Sequence, residues 1–156
     1  MRLREGVRAL VVDDCDRVVL VRFDLPDRTV WAAPGGGVEE GEDDAEALAR
    51  ELREELGLVL SAPPGAPVWV RTHVFPMTRW DGQTERFYLL RVAPFEIRPE
   101  LAPDVLAAEG VGEIRWWAAD ELAAATDVVF APRRLPELLR ALLADGPPPE
   151  PLDVGV

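Results

Sequence analysis

The sequence is poor in the residues that build covalent and thiolate-based sites. It contains one cysteine and one histidine in 156 residues. Cys15 cannot form an internal disulfide and belongs to no metal-ligand pattern, so we interpret it as a turn residue, with a free reactive thiol as the less favoured alternative. A lone histidine on a strand, such as His73, is more typical of a packed residue than of a catalyst.

Positive charge is also scarce. The chain has no lysine, and its 17 arginines face 29 acidic residues, which gives a net charge of −12. Such a charge argues against a nucleic-acid backbone or an anionic membrane as a partner. A polyanionic substrate would have to be attracted locally, by metal ions and a few arginines. The sequence shows neither an apolar run long enough to span a membrane nor a signal-peptide pattern, so we expect a cytoplasmic protein.

The length predicts one domain, which we place at residues 1–145. Residues 146–156 are rich in proline, and we expect a C-terminal tail that is either loose or laid against a partner. Five leucines on the preceding segment suggest exposed apolar surface, from which we predict a homodimer.

Apolar and alternating runs predict a mixture of strands and helices. The predicted strands are Val7–Val12, Val18–Arg22, Thr29–Ala33, Val68–Phe75, Glu85–Val92 and Gly112–Trp117. Helices are predicted from Ala118 to Ala125 and from Pro132 to Ala144, and Pro94–Gly110 is predicted to be a long loop. This mixture indicates an α/β or α+β sandwich.

The most informative stretch runs from Gly36 to Leu58. It opens as a glycine-rich turn, continues as a helix with Asp43 and Asp44 in its first turn, and ends at Gly57, where a left-handed cap is favourable. Helical periodicity gathers one apolar stripe, formed by Ala45, Leu48, Ala49, Leu52 and Leu56.

A second face of this helix carries Glu51, Glu54 and Glu55. Glu51 and Glu55 are like charges four residues apart, which costs a helix about 0.2–0.5 kcal/mol. One interpretation is a solvated acidic face, supported by opposite-charge pairs with Arg50. The other is a metal site, because three carboxylates one turn from a glycine-rich loop supply the oxygen ligands that hard divalent cations prefer.

The spacing of these residues resembles that of the Nudix box. Gly36 is followed after five residues by Glu42, and after seven more by a continuous run from Arg50 to Leu58 that matches at every defining position. The resemblance extends more thinly to Trp31, Pro34-Gly35, Glu39, Arg115-Trp116-Trp117 and Asp120-Glu121-Leu122. It implies a Nudix-type α/β/α sandwich, with a mixed sheet between helices. It also implies a Mg²⁺- or Mn²⁺-dependent hydrolase of nucleoside diphosphates linked to a moiety X, and we expect nucleoside tri- or diphosphates.

The resemblance also implies roles for individual residues. Glu51, Glu54 and Glu55 would bind metal, with the Gly35 carbonyl as a further oxygen, and Glu54 or Glu51 would be the general base. Arg50 would orient a box carboxylate, and Glu42 would brace the loop, whose turn Gly36 permits. Alternative general bases lie in the distal segments, namely Glu100, Glu109 and Glu113.

Residues outside the box are candidates for binding the substrate. The candidate phosphate ligands are Arg22, Arg71, Arg86 and Arg133, and the sequence does not choose among them. Trp80, in a predicted hairpin loop, could stack on a base. Two alternative functions remain: an isomerase of isoprenoid diphosphates, which would use a cysteine such as Cys15, and a regulatory domain that binds a nucleotide without catalysis.

Overall fold

The computed structural model describes residues 1–156 and is built around one mixed sheet of nine strands. The strands are β1 (Leu3–Val12), β2 (Val18–Asp24), β3 (Thr29–Ala32), β4 (Gly35–Gly37), β5 (Trp69–Val74), β6 (Gly82–Arg91), β7 (Val111–Trp117), β8 (Phe130–Ala131) and β9 (Leu152–Asp153). They follow the order β8-β3-β2-β1-β6-β5-β9, with β4 paired to β1 and β7 paired to β2. Strands β1 and β6 are parallel from the pair Leu3–Gly82 to the pair Val12–Arg91.

Helices cover both faces of this sheet. They are α1 (Asp44–Leu56), α2 (Pro103–Ala108), α3 (Ala119–Ala124) and α4 (Leu135–Asp145). Because side chains alternate along a strand, β1 contributes Val7 and Val11 to the core beneath α1, whereas Leu10 and Val12 face the core beneath α4. The predicted mixed sheet between helices is therefore confirmed.

Helix α1 ends as the sequence predicts, but it begins one residue later than expected and its buried face is different. Asp43 is the N-cap rather than a residue of the first turn, and it shares a capping box with Glu46. Gly57 adopts the left-handed conformation with φ of 70°. The buried residues are Ala47, Leu48, Leu52, Glu55 and Leu56, whereas Ala45 and Ala49 of the expected stripe are only half-buried. The apolar face is thus rotated toward the carboxylates.

Three segments differ from the sequence-based expectation. The glycine-rich turn forms the short strand β4, because Gly35 to Gly37 pair antiparallel with β1. The long loop expected at Pro94–Gly110 contains α2, which starts with a proline at its first turn, a position where the missing N–H costs nothing. Strand β8 was not expected, and it pairs with β3 through Trp31 and Phe130.

The C-terminal tail is not loose. Strand β9 lies parallel to β5, with Leu152 N donating to Val68 O at 3.0 Å and Val154 N donating to Val70 O at 3.0 Å. Beyond it, Arg133 N donates to Val156 O at 3.2 Å. The tail therefore covers the edge of β5 that the rest of the sheet leaves open.

The leucines of α4 pack against the core of the same chain. Leu135, Leu139 and Leu142 are buried, and Leu138 and Leu143 are half-buried against the same core. They do not supply the exposed apolar surface on which the predicted homodimer rested, and the homodimer stays a prediction. No helix is long and apolar enough to cross a membrane.

Candidate functional site

The glycine strand β4 and helix α1 border a cavity of about 660 Å³, which we call the box cavity. Its lining includes the backbone of Gly35 to Gly37 and an excess of acidic side chains. The acidic residues are Glu5, Glu39, Glu51, Glu54, Glu55 and Glu109, and the basic residues are Arg4, Arg8 and Arg50. All three carboxylates predicted to bind metal are therefore brought to one cavity.

Glu55 is the most deeply buried of these carboxylates, with 2% of its surface exposed. Its Oε1 accepts a hydrogen bond from Gly35 N at 2.9 Å. Burial, the neighbouring charge of Glu51 and the more distant Glu109 raise the pKa of Glu55 to about 8, against the lowering effects of Arg8 and the Gly35 N–H. Negative charge here is unfavourable unless a cation accompanies it.

Glycine is required at two positions beside this carboxylate pair. Gly35 has φ of 149°, and a Cβ there would overlap the backbone of Val7 on β1. A Cβ on Gly36 would overlap the carboxylate of Glu51. Gly35 therefore permits the close pairing of β4 with β1, and Gly36 leaves room for the Glu51 carboxylate beside β4.

Glu51 and Glu54 are less enclosed than Glu55. Glu51 accepts a hydrogen bond from Arg50 Nη1 at 3.0 Å, and burial raises its pKa in spite of that contact. Glu54 has 28% of its side chain exposed and lies 3.6 Å from the same nitrogen. Glu54 is thus the carboxylate of the three most open to a ligand from solvent.

Arg50 and Glu42 join the loop to the helix. Arg50 donates to both carboxylate oxygens of Glu42, at 2.8 and 2.9 Å, and to Gly37 O at 3.0 Å. Glu42 also accepts from Glu39 N at 2.9 Å. The contact with Arg50 lowers the pKa of Glu42 to about 2. Arg50 therefore orients the loop and Glu51 together.

The donors of the box cavity fit a divalent cation in chemistry, since they are oxygens and carry excess negative charge. No group of three or more His, Cys, Asp or Glu side chains stands close enough together to form a metal centre by geometry. Two expected ligand atoms already have protein partners: Glu55 accepts from Gly35 N, and Gly35 O accepts from Arg8 Nη1 at 3.3 Å. Each of these oxygens keeps a further lone pair, but because the carboxylates are not assembled, binding a cation there requires them to turn toward it.

Two of the predicted phosphate ligands lie outside the cavity, where ion pairs occupy them. Arg22 is paired with Asp24 at 2.8 Å and with Glu113 at 3.4 Å. Arg86 donates to both carboxylate oxygens of Asp44, at 2.5 and 2.7 Å. Neither Arg22 nor Arg86 lines the box cavity or the second cavity described below, and their binding of phosphate stays a prediction.

Some of the remaining candidate residues line the box cavity and others do not. Trp80 lines the box cavity, with the Arg2 guanidinium 4.9 Å from its ring centre. Of the three distal acids, only Glu109 lines the box cavity. Glu100 is paired with Arg53, and Glu113 is paired with Arg22. Cys15 is exposed and does not line the cavity. The isomerase alternative thereby loses its cysteine.

Sequence reasoning missed Arg4 and Arg8. Both lie on β1 and line the box cavity, and Arg8 is enclosed enough to bond Glu85 and two backbone carbonyls. The available signal was a charged residue at position 8 inside a strand whose neighbours from Val7 to Val12 are apolar. A buried strand carries such a charge only when it is paired.

A second cavity of about 550 Å³ adjoins the first and shares Arg8 and Phe23 with it. We call it the arginine cavity, because Arg8, Arg28, Arg71 and Arg133 line it with Glu85 as the one acidic side chain. His73 also lines it, and burial and the charge of Arg71 lower its pKa. Of the residues predicted to bind substrate, Arg71 is therefore beside this cavity and Trp80 beside the other.

Comparison with known proteins identifies the family. The NUDIX domain model matches residues 2–139. The chain belongs to the Nudix family. A solved MutT NUDIX hydrolase from Burkholderia pseudomallei superimposes on this Nudix domain with a TM-score of 0.65 at 26% identity, over 90% of this chain and 98% of that one. The predicted Nudix fold is thus confirmed.

Two curated relatives are named for hydrolysis. The RNA pyrophosphohydrolase of a Nitratiruptor species is 34% identical over 105 residues, 60% of this chain and 66% of the relative. The nucleoside triphosphatase NudI of an Enterobacter species is 45% identical over 60 residues, 38% of this chain and 43% of the relative. The chain thus spans about two thirds or less of the curated relatives that it matches.

These comparisons confirm the predicted enzyme class at the level of the family. Nudix pyrophosphohydrolases act on phosphoanhydride bonds and generally use divalent metal cations. The substrate, the identity of the cation and the roles of single residues in this chain are matters for proposal.

Proposed function

We propose that this Nudix domain hydrolyses the phosphoanhydride bond of nucleoside tri- or diphosphates with the help of Mg²⁺ or Mn²⁺. The observation that carries the proposal is the shared cavity, in which Glu51, Glu54 and Glu55 lie beside β4 together with three arginines. A polyphosphate needs both parts, because the carboxylates attract cations and the arginines bind phosphate oxygens.

A cation held by Glu51, Glu54 and Glu55 would neutralise charge that develops on the phosphate oxygens during hydrolysis. Of the three arginines that line the cavity, Arg50 is bonded to Glu42, Glu51 and Gly37, so we expect Arg4 and the free Nη2 of Arg8 to bind the same phosphates. A water molecule attacks phosphorus, its proton passes to a carboxylate oxygen of Glu54 or Glu51, and the bridging oxygen leaves with the departing phosphate. Glu54 is favoured as the base because it is the more open to solvent.

Nucleotides are favoured as substrates because the box cavity also offers aromatic surface. Trp80 and Phe23 line it beside the phosphate-binding side chains. Base stacking on an aromatic ring is tolerant of sequence and contributes useful affinity. The relative named nucleoside triphosphatase supports the same class. The net charge of −12 disfavours a long polyanion, although another relative is named RNA pyrophosphohydrolase.

The test is a substrate panel at fixed Mg²⁺, with release of phosphate and pyrophosphate as the readout and product analysis of each reaction. The panel comprises nucleoside tri- and diphosphates, a sugar nucleotide, a dinucleoside polyphosphate, an isoprenoid diphosphate and an RNA with a 5′-triphosphate. We expect nucleotide hydrolysis that excess EDTA abolishes and that added Mg²⁺ or Mn²⁺ restores. Undiminished hydrolysis in EDTA would contradict the role of the carboxylates, and binding without hydrolysis would favour the regulatory alternative.

A further inference from the structure

The arginine cavity contains a buried charge cluster, of which the proposed hydrolysis uses only Arg8. Glu85, with 3% of its surface exposed, accepts from Arg8 Nε through Oε2 at 2.5 Å and from Arg71 Nη1 through Oε1 at 3.0 Å. Two arginines thus surround one carboxylate, and both of its oxygens are engaged. Towards the cavity the cluster offers positive charge and hydrogen-bond donors.

Arg71 is the member of this cluster that has an unpaired hydrogen-bond donor. It is 8% exposed, its Nη1 is bonded to Glu85, and its Nε has no hydrogen-bond partner. Buried polar groups in native proteins nearly always have partners, and an exception calls for an explanation. Since Arg71 lines the cavity, a ligand that carries hydrogen-bond acceptors would complement its guanidinium.

The walls of the cavity suit a flat ring. Phe75, Phe87 and Phe130 line it, and its volume of about 550 Å³ is in the range of small-molecule sites, which are mostly apolar with a few convergent polar groups. Arg8 and Phe23 belong to both cavities. One nucleotide can therefore place its phosphates in the box cavity and its base past the shared Phe23 against Arg71, as an alternative to stacking on Trp80.

We infer that Arg71 makes this Nudix domain prefer nucleobases with a ring carbonyl over bases with an amino group at the same position, an inference that rests on the proposed function. A guanidinium has only donors. A carbonyl oxygen accepts from it, whereas an exocyclic amino group would set donor against donor and leave both unpaired. The neighbouring His73 and Gln83 can donate or accept, so they tolerate either base.

Two pairs of nucleotides isolate this effect in the unmodified protein. ITP and ATP share the sugar and the triphosphate; ITP has a carbonyl at position 6 and a proton on N1, whereas ATP has an amino group at position 6 and an unprotonated N1. UTP and CTP differ in the same way at position 4 and N3 of the pyrimidine. The measurement is kcat/KM for each nucleotide with saturating Mg²⁺. We expect the carbonyl member of at least one pair to be favoured by roughly ten-fold or more, the scale of one charged hydrogen bond.

Substitution then assigns the preference to a side chain. Arg71→Met keeps an unbranched stem and leaves Glu85 bonded to Arg8, so we expect the ratio within a pair to fall to about one, and Arg71→Lys to restore part of it. The matched control is Arg28→Met, which removes the same charge from an exposed position on the rim of the cavity. It should affect both members of a pair alike and keep their ratio.

The outcomes separate this inference from the proposed function. Equal kcat/KM within both pairs, or a preference for the amino bases, overturns the inference while nucleotide hydrolysis itself stands. A ratio that persists in Arg71→Met also overturns it. Failure to hydrolyse any nucleotide overturns both. If Arg71→Met does not fold, the kcat/KM ratios within each pair for the unmodified protein and for Arg71→Lys still test the inference.

Discussion

Glu55 Oε1 accepts a hydrogen bond from the backbone N–H of Gly35 at 2.9 Å, so a carboxylate of helix α1 holds the glycine strand β4 in place. The two residues are 20 positions apart in the chain. Through this contact the carboxylate that is expected to bind a cation also fixes the loop that borders the same cavity. Glu55 therefore has a structural role that is independent of its expected role in metal binding.

This double role predicts different effects for two substitutions of Glu55. Glu55→Gln keeps an oxygen that can accept from Gly35 N, whereas Glu55→Ala leaves that buried N–H without a partner. An unsatisfied buried donor costs about 1–3 kcal/mol. We expect the free energy of unfolding of Glu55→Ala to be lower than that of Glu55→Gln by about this amount, as measured by urea unfolding without metal. Equal stability of the two variants would show that the hydrogen bond contributes nothing.

Leu52 tests the packing of α1 beneath the same site. It is fully buried in the core that α1 forms with β1. Leu52→Ala should lower the free energy of unfolding by about 2–5 kcal/mol. The exposed Val59 provides the control, since Val59→Ala should change stability by less than about 0.5 kcal/mol. A small loss at Leu52, comparable to that of the control, would mean that the helix is not anchored as the structure shows.

Asp13 gives the fold a defined dependence on pH. Burial alone would raise the pKa of its carboxyl, but hydrogen bonds from the Arg17 N–H and guanidinium and from Cys15 N lower it below the ordinary value. A lowered pKa stabilises the fold above the unfolded-state pKa, and this stabilisation is lost as pH falls through the folded-state value. Asp13→Asn should therefore lose about 1–2 kcal/mol at pH 7 and much less at pH 3.

The measurement for Asp13 is urea unfolding at both pH values. The exposed neighbour Asp14 is the control, because Asp14→Asn removes the same charge without breaking a contact. A loss for Asp13→Asn that is the same at pH 7 and pH 3 would contradict the role of the ionised carboxyl.

Sequence reasoning succeeded where the signals are local. Gly57 marks the end of α1 by the chemistry of helix caps, Asp43 and Asp44 mark its start to within one residue, and the spacing from Gly36 to Leu58 places three carboxylates beside a glycine-rich turn. All of these features lie within the single stretch from Gly36 to Leu58. The family, the fold class and the location of the candidate site follow from them.

Sequence reasoning failed where contacts join distant strands. Arg8 and Glu85 are 77 positions apart, and only the parallel pairing of β1 with β6 brings them together. The ion pairs of Arg22 with Glu113 and of Arg86 with Asp44 also join residues far apart in the chain, so the local sequence does not reveal them. The burial of Glu55 likewise depends on the docking of β4, which helical periodicity does not contain.

The decisive prediction separates catalysis from folding at Glu54. With 28% of its side chain exposed, Glu54 lies off the buried face of α1, and Glu54→Gln removes one negative charge from the cluster of three acidic side chains. Metal-free stability should stay equal or rise by a few tenths of a kcal/mol, because like-charge repulsion is relieved. Turnover with saturating Mg²⁺ should fall by orders of magnitude, since the loss of a base or of a metal ligand removes several kcal/mol of transition-state stabilisation.

The control for Glu54 is Glu137→Gln, the same change at an exposed position on α4 that does not line the box cavity. It should leave turnover unchanged. Both variants and the unmodified protein are compared by thermal unfolding without metal and by phosphate release with Mg²⁺. Near-normal turnover of Glu54→Gln, together with an equivalent result for Glu51→Gln, would reduce this face of α1 to a solvated acidic surface. The hydrolase would then have to place its catalytic carboxylate elsewhere in the cavity, with Glu109 as the next residue to change.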